Sequence, residues 1–391
     1  MRLQLIKTAA LAALVQSTSA APASDKASFE KLPNLDVVKT TTDNGITLDW
    51  VTRESQGKVY SPPPDAPEGA KKLSQAQHMN VLPQFTGPDG TVPIARLSND
   101  VAPKQLPPFP NEDNNSTEGI EARAIAGTHW YAASWQQSRN HGGRAFMTIH
   151  KPFLEREKDF SLLQIAVAHD KADQPNNGAK KSQTVEAGWT HYPVLHKGGP
   201  ILFTFFTTNG YNGMRDYVGG YNTAVKGWFQ HDSAIHPGMP LSRFSVDGGQ
   251  QQELEIMYQL HDNCWWLYTM GKYIGCYPTS LFHPNGVNPK NTLGTVATGA
   301  SLYGEVVNSG SSLTKTDMGS GHFAKDGWKH SAYMREMKWF DTNGKLQDWD
   351  GPANAANPDR YSIQTKFKSG LTNWNSHMFL GGPGAGGKVG A

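Results

Sequence analysis

The sequence predicts an all-β protein: an antiparallel β-sandwich preceded by a smaller N-terminal segment. Three observations carry this. Strand-like runs of β-branched and aromatic residues recur from about residue 129 to 380. Turn formers are abundant, with 40 Gly and 25 Pro. Charged residues make up only 18%, below the roughly one quarter usual for globular chains. No long helical period is present, and no repeat of about 20–50 residues that would indicate a propeller or solenoid.

The N-terminus, "MRLQLIKTAALAALVQSTSAAPASDK", has Arg2 and Lys7, then an apolar stretch over 9–15 and small residues near Ala20. This is the pattern of a secretory signal peptide over 1–20, so a secreted protein is expected. Residues 22–100 are polar, with proline clusters such as "YSPPPDAPEGAKK" and one strand-like piece, "GITLDWV". The stretch 102–122, "APKQLPPFPNEDNNSTEGIEA", is rich in Pro, Asn and acids and reads as an exposed linker. It holds the sequons at Asn114 and Asn115, the candidate N-glycosylation sites.

At "HWYAASW" the composition changes, and a β domain is expected over 123–385. "FSLLQIAVA", "ILFTFFTT", "ELEIMYQL" and "CWWLYTM" are its clearest strands. In the third, Leu254, Ile256, Tyr258 and Leu260 share one face. The end, 386–391, is glycine-rich and reads as a flexible tail. Cys264 and Cys276 are the only cysteines. An oxidising compartment favours a disulfide between them, the alternative being two buried thiols. A three-residue hairpin turn centred on Met270 would set the two opposite each other.

A net charge of +2 gives no argument for nucleic acid or an anionic membrane. No stretch beyond the signal peptide is apolar enough to span a bilayer, and a monomer is expected. Residues 382–389 imitate a phosphate loop but lack the Ser/Thr, the strand and the helix it needs. No H-E-x-x-H or G-x-S-x-G occurs, and the fourteen histidines show no ligand spacing. Ser320 and His322 in "MGSGHF" are poorly spaced for a nucleophile and its base. Neither metal nor organic cofactor is expected.

Two carboxylates remain, Glu186 in "QTVEAGWTHYP" and Glu305 in "SLYGEVVNS". Each lies in strand-like sequence flanked by small residues, Ala187 and Gly188 for one and Gly304 for the other, and glycine in a strand often marks close approach of another chain or a ligand. Two such glutamates brought together would share a proton, one pKa rising, and could divide acid and base work. Spacing alone leaves the pairing open to the reading of two unrelated surface glutamates.

The chain resembles the neprosin family of secreted glutamic peptidases. The resemblance rests on "FSLLQIAV", "QTVEAGWTHYP", "FTFFTTNGYNGMRDYVGGYN", "CWWLYTMGKYIGCYPTSLF", "YGEVVNS", "TDMGSGHF" and "MFLGGPG", in that order. It implies an antiparallel sandwich and an acid-active endopeptidase cleaving after proline, with Glu186 and Glu305 as its dyad. Protein or peptide substrates follow. "ITLDWVTRESQGKVYSPPP" resembles the family's propeptide, so 21–122 is expected to inhibit the enzyme until cut away. The plant-like members carry cysteines that "DYVGGYN" and "NPDRYS" lack. Strand alternation puts Gln164 on the groove face as a possible oxyanion donor, and Tyr303 on the face of Glu305. The competing reading is a carbohydrate-active sandwich, with Trp265, Trp266 and Tyr268 stacking on sugars.

Overall fold

Along "FSLLQIAVA" alternate side chains enter different cores. Leu163, Ile165 and Val167 join one buried cluster, Leu162 and Ala166 another, as a strand covered on both faces requires. The computed structural model describes residues 35–43, 45–65, 76–78, 86–97, 104, 127–175, 178–371, 373–387 and 389–390. The signal-peptide stretch, Asn114 and Asn115 lie outside the described residues.

Among the described residues the strands are β1 (Val37–Asp43), β2 (Ile46–Thr52), β3 (Ala76–His78), β4 (Thr91–Arg96), β5 (Thr128–Gln136), β6 (Gly142–Thr148), β7 (Phe160–Asp173), β8 (Lys180–His191), β9 (Ile201–Thr207) and β10 (Gly219–Tyr221). They continue with β11 (Phe229–Gln230), β12 (Gln251–His261), β13 (Cys264–Thr269), β14 (Lys272–Pro278), β15 (Gly299–Asn308), β16 (Ala332–Phe340), β17 (Leu346–Asp348), β18 (Ala353–Ala355), β19 (Ser362–Lys366) and β20 (His377–Gly381). Among the described residues no helix is long and apolar enough to cross a membrane.

Two sheets form the sandwich. One runs β10-β9-β8-β7-β15-β5-β18, the other β11-β14-β13-β12-β6-β16-β20-β19 with β17 on β16 and β3 on β12. Their inner faces, including Leu163, Ile165, Val185, Trp189, Leu254 and Ile256, close one core. The outer face of the first sheet carries a second, aromatic cluster with Tyr131, Phe160, Phe203, Phe205 and Tyr303. On the second sheet, Glu253 is fully buried and met by Arg335 Nε and Nη2 at 2.7 and 2.5 Å and by Tyr333 OH at 2.7 Å. Bidentate pairing of this kind makes a buried charge tolerable.

The hairpin of β13 and β14 turns through Met270 and Gly271, both at positive φ (51° and 85°). This two-residue turn matches the twist of the strands and replaces the expected three-residue one. Cys264 stands opposite Pro278 and Cys276 opposite Trp266. Their disulfide, with Cα atoms 5.8 Å apart, therefore runs diagonally rather than straight across. Trp265 and Trp266 are fully buried and Tyr268 nearly so, so these rings offer no platform for a sugar. Near the C-terminus, Gly390 N–H donates to Asp317 Oδ2 at 3.2 Å.

β1, β2 and β4 form a separate three-stranded sheet with a small core of Ile46, Leu48, Trp50 and Ala95. It rests on the sandwich through hydrogen bonds to backbone groups. Gln56 exchanges two hydrogen bonds with the Gln230 backbone at 2.9 and 2.8 Å. Thr223 Oγ1 donates to Ala95 O at 2.6 Å and Arg53 Nε to His231 O at 2.8 Å. β3 adds a parallel pairing to β12.

Candidate active site

The site is built on the outer face of the first sheet, with β7 in the middle. β8 pairs with β7 so that Glu186 faces Ala166 and Gly188 faces Gln164. β15 pairs with the other edge, setting Tyr303 opposite Gln164 and Glu305 opposite Leu162. Period two therefore sends Glu186, Gln164, Tyr303 and Glu305 to one face. The two glutamates lie in rows on either side of the Gln164–Tyr303 row.

The glycines beside the glutamates have steric causes. A Cβ on Gly188 would lie 2.0 Å from Leu163 O and 2.9 Å from Gln164 Cβ. One on Gly304 would meet Leu380 and Met318 side-chain atoms at 2.9 Å. Gly188 brings β8 close enough for Gln164 Nε2 to donate to Glu186 Oε2 at 2.7 Å.

Glu186 accepts two further bonds on Oε1, from Tyr211 OH at 2.6 Å and Thr184 Oγ1 at 2.8 Å. Glu305 Oε1 lies 2.5 Å from His129 Nδ1. Tyr303 OH is 3.4 Å from Glu186 Oε2 and also meets Gln164 Nε2. Between the glutamates sits the ammonium of Lys104, 3.0 Å from Glu186 Oε2 and 3.5 Å from Glu305 Oε2. The two carboxylate oxygens can be no farther apart than the sum of those distances. Lys104 also donates to Gln164 Oε1 and lies 4.9 Å from the Phe203 ring centre, a cation–π distance. Lys104, Glu186, Glu305 and Gln164 are all fully buried.

The electrostatics follow. Burial works to raise the Glu186 pKa, but the Lys104 charge and the bonds from Tyr211 and Gln164 outweigh it and hold the carboxyl below its ordinary range. The expected arrangement, one proton shared and one pKa raised, is thus not the state seen for Glu186; a lysine takes the proton's place. Tyr303 and Tyr211 are pushed far above their ordinary values, by burial first and then by the Glu186 charge. Both remain O–H donors.

Lys104, which falls in the stretch read as an exposed linker, is fully buried between the two glutamates; the rest of 102–122 lies outside the described residues. Nothing local in "APKQLPP" distinguishes it from a solvated lysine. His129, Thr184 and Tyr211 were also missed. Thr184 was accessible to reasoning, being two residues before Glu186 on the same strand. Tyr211 arrives from a loop, at φ 63°, and His129 from a strand two removed from β7; only the fold unites them.

The sequence comparison decides the family. The neprosin family model matches residues 157–383, more than half of the chain. The chain belongs to the neprosin family. It is accordingly a peptide hydrolase, and "QTVEAGWTHYP" and "YGEVVNS" both fall inside the matched region. Among solved structures, it is similar to scytalido-glutamic peptidase bound to a peptide-based transition-state analogue, at 8% identity and TM-score 0.34, over 66% of this chain and 98% of that one. A second is SCP-B, an eqolisin-family peptidase bound to the tripeptide Ala-Ile-His, at 9% identity and TM-score 0.32, over 66% and 100%.

Proposed function

We propose that this neprosin is a secreted, acid-active glutamic endopeptidase made as a zymogen, with Glu186 and Glu305 as its dyad. One observation carries the reading: two buried carboxylates from different strands converge on a single ammonium. Carboxylates that close need a counter-ion or a shared proton. With Lys104 withdrawn, a proton and a water take its place.

In the reaction, Glu186 keeps its bonds from Tyr211, Thr184 and Gln164, which favour the ionised form and suit it to be the base. It removes a proton from water as the oxygen attacks the peptide carbonyl carbon. Gln164 and Tyr303, both donors between the glutamates, stabilise the oxyanion. Glu305, in its protonated form, delivers a proton to the amide nitrogen as the C–N bond breaks. No metal or organic cofactor takes part in these steps.

The segment 21–122 acts as the propeptide. Its three-stranded sheet docks on the sandwich, and Lys104 blocks the dyad. The peptidase domain is 123–385, and the preference for proline at P1 is carried over from the family resemblance. The buried tryptophans of β13 remove the support for a sugar-binding alternative.

The test is incubation of the full-length protein at pH 3 and pH 7 with a proline-rich protein, followed by mass spectrometry of the fragments. Fragments ending in Pro at pH 3, absent from Glu186→Gln and Glu305→Gln chains that fold normally, are expected. Activity that survives either substitution defeats the dyad. Fragments with other C-termini keep the dyad and remove the proline preference.

A further inference from the structure

His322 lies in "TDMGSGHF", a motif the peptidase reading leaves without a task. The structure brings it together with His330 and Asp247, residues that show no ligand spacing in the sequence. His330 Nδ1 is 2.7 Å from Asp247 Oδ1, and His322 Nε2 is 3.2 Å from the same oxygen. The three ligand atoms all lie within 4.8 Å of one another. We propose that Asp247, His322 and His330 form a zinc site that ties two loops of the sandwich together. The proposal does not depend on the peptidase reading.

The first argument is proton counting. His322 Nε2 faces Asp247, while its Nδ1 lies 3.3 Å from Asp326 Oδ2. A neutral imidazole has one N–H to give and two carboxylates face this ring, so Nε2 meets either a second proton or a cation. With a cation on Nε2, Nδ1–H goes to Asp326, and Nε2 and Asp247 both become ligands. A carboxylate that orients a ligating histidine through its other nitrogen is the usual outer partner of a zinc histidine.

The second argument is preorganisation. The loop of Asp247 is joined to that of His330 by Gly248 N–H donating to Lys329 O at 3.0 Å. Ser320 Oγ accepts from His322 N at 3.2 Å and from Ala332 N at 3.1 Å, pinning the second loop to the start of β16. Ser331 Oγ donates to Phe323 O at 2.5 Å. With ligand bonds of about 2.0–2.2 Å, tetrahedral coordination sets ligand atoms roughly 3.3–3.5 Å apart. The His322–Asp247 separation is nearly there. The His330–Asp247 separation must open by less than about 1 Å, which two half-exposed side chains allow.

Two imidazoles and one carboxylate suit zinc and not magnesium or calcium, which prefer all-oxygen shells.

The experiment uses tag-free full-length protein, stripped with chelator and held at pH 7.5. Isothermal titration with zinc chloride is expected to give one site per chain, with no binding of magnesium. Cobalt(II) in place of zinc should give the intense visible bands of four-coordination. His330→Ala and Asp247→Asn, at exposed positions, should each weaken zinc at least tenfold, and Asp326→Asn about tenfold through the orientation of His322. Zinc should raise the melting temperature of the parent chain but not of His330→Ala. Failure to bind stoichiometric zinc, or undiminished binding by the His322→Ala/His330→Ala double variant, overturns the site. So does a melting temperature that follows pH through these histidines and ignores zinc.

Discussion

The Lys104 ammonium lies 3.0 Å from Glu186 Oε2, and solvent reaches neither side chain. Such a pair contributes little net stability, because desolvation offsets the attraction, yet losing one partner is costly. Both properties suit a contact that holds a segment in place and then lets go.

Lys104→Met fills similar volume and leaves two buried carboxylates without a counter-charge. Its full-length chain should lose roughly 3–5 kcal/mol in the docking of the N-terminal segment at pH 7. Urea titration followed by proteolytic nicking of the linker measures this. Processing at a given pH should be faster than in the parent. A Lys104→Met chain as latent and as stable as the parent would exclude the lysine as the latch.

Acid should open this latch, and the sign follows from Glu186. Its carboxyl is held below the ordinary value of 4.5 while Lys104 is bound. A group depressed in the bound state favours binding above its free pKa, and that contribution is lost as pH falls through the lower bound value. Processing should therefore accelerate as pH falls into the carboxylate range, beginning at the value the paired glutamates have once Lys104 is withdrawn. Among the contacts of the small sheet, Arg53 meets the His231 carbonyl, and burial and the Arg53 charge lower the His231 pKa, so a Glu186→Gln chain, which removes only the dyad's contribution, separates the two sources of acid dependence. A rate profile that rises fully between pH 7 and 6 would point instead to a histidine.

Gly188→Ala should damage the site without touching either glutamate. The added Cβ meets Leu163 O at 2.0 Å, so β8 must move away from β7. The cost should be about 1–3 kcal/mol, as for other overpacked interiors. Gln164 would lose its bond to Glu186, and kcat should drop at least tenfold in the activated enzyme. A normal kcat with a lowered melting temperature would mean that Gln164 has no part in turnover.

Asp317 gives a stability prediction independent of the two glutamates. Burial raises its carboxyl to about 7, against the opposing pull of the Gly390 N–H. A raised group favours the fold below its unfolded pKa, here the ordinary 3.8, and that contribution is lost as pH rises through the folded value. Asp317→Asn should stabilise the protein at pH 8 by on the order of 2–4 kcal/mol and make no difference near pH 3. Melting curves at the two pH values decide it; equal shifts at both would show that ionisation is not the cause.

The sandwich was legible because period-two alternation fixes which side chains share a face. The placement of Gln164 and Tyr303 on one side of β7 and β15, and of Leu163 and Ile165 on the other, needed only that rule. Gly188 was legible as a close approach, though not as the residue that brings β8 onto Gln164. What escaped depends on tertiary closure. Lys104 sits in a proline-rich stretch with no periodicity, and its burial is set by charge in a cleft far along the chain. His322 and His330 are eight residues apart and meet Asp247 across a gap of 75 in sequence, a spacing that no local ligand pattern covers.

The divided attachment of the N-terminal segment bears on kinetics. If acid frees Lys104 while Gln56, Thr223 and Arg53 still hold the small sheet, the withdrawn linker stays tethered beside the opened cleft. The first cut is then unimolecular: a short tether keeps its own bonds at millimolar effective concentration or above. The half-life of processing should be the same at nanomolar and micromolar protein. Proteins in the surrounding medium would compete poorly until that cut is made, so each molecule acts on itself before it acts on anything else.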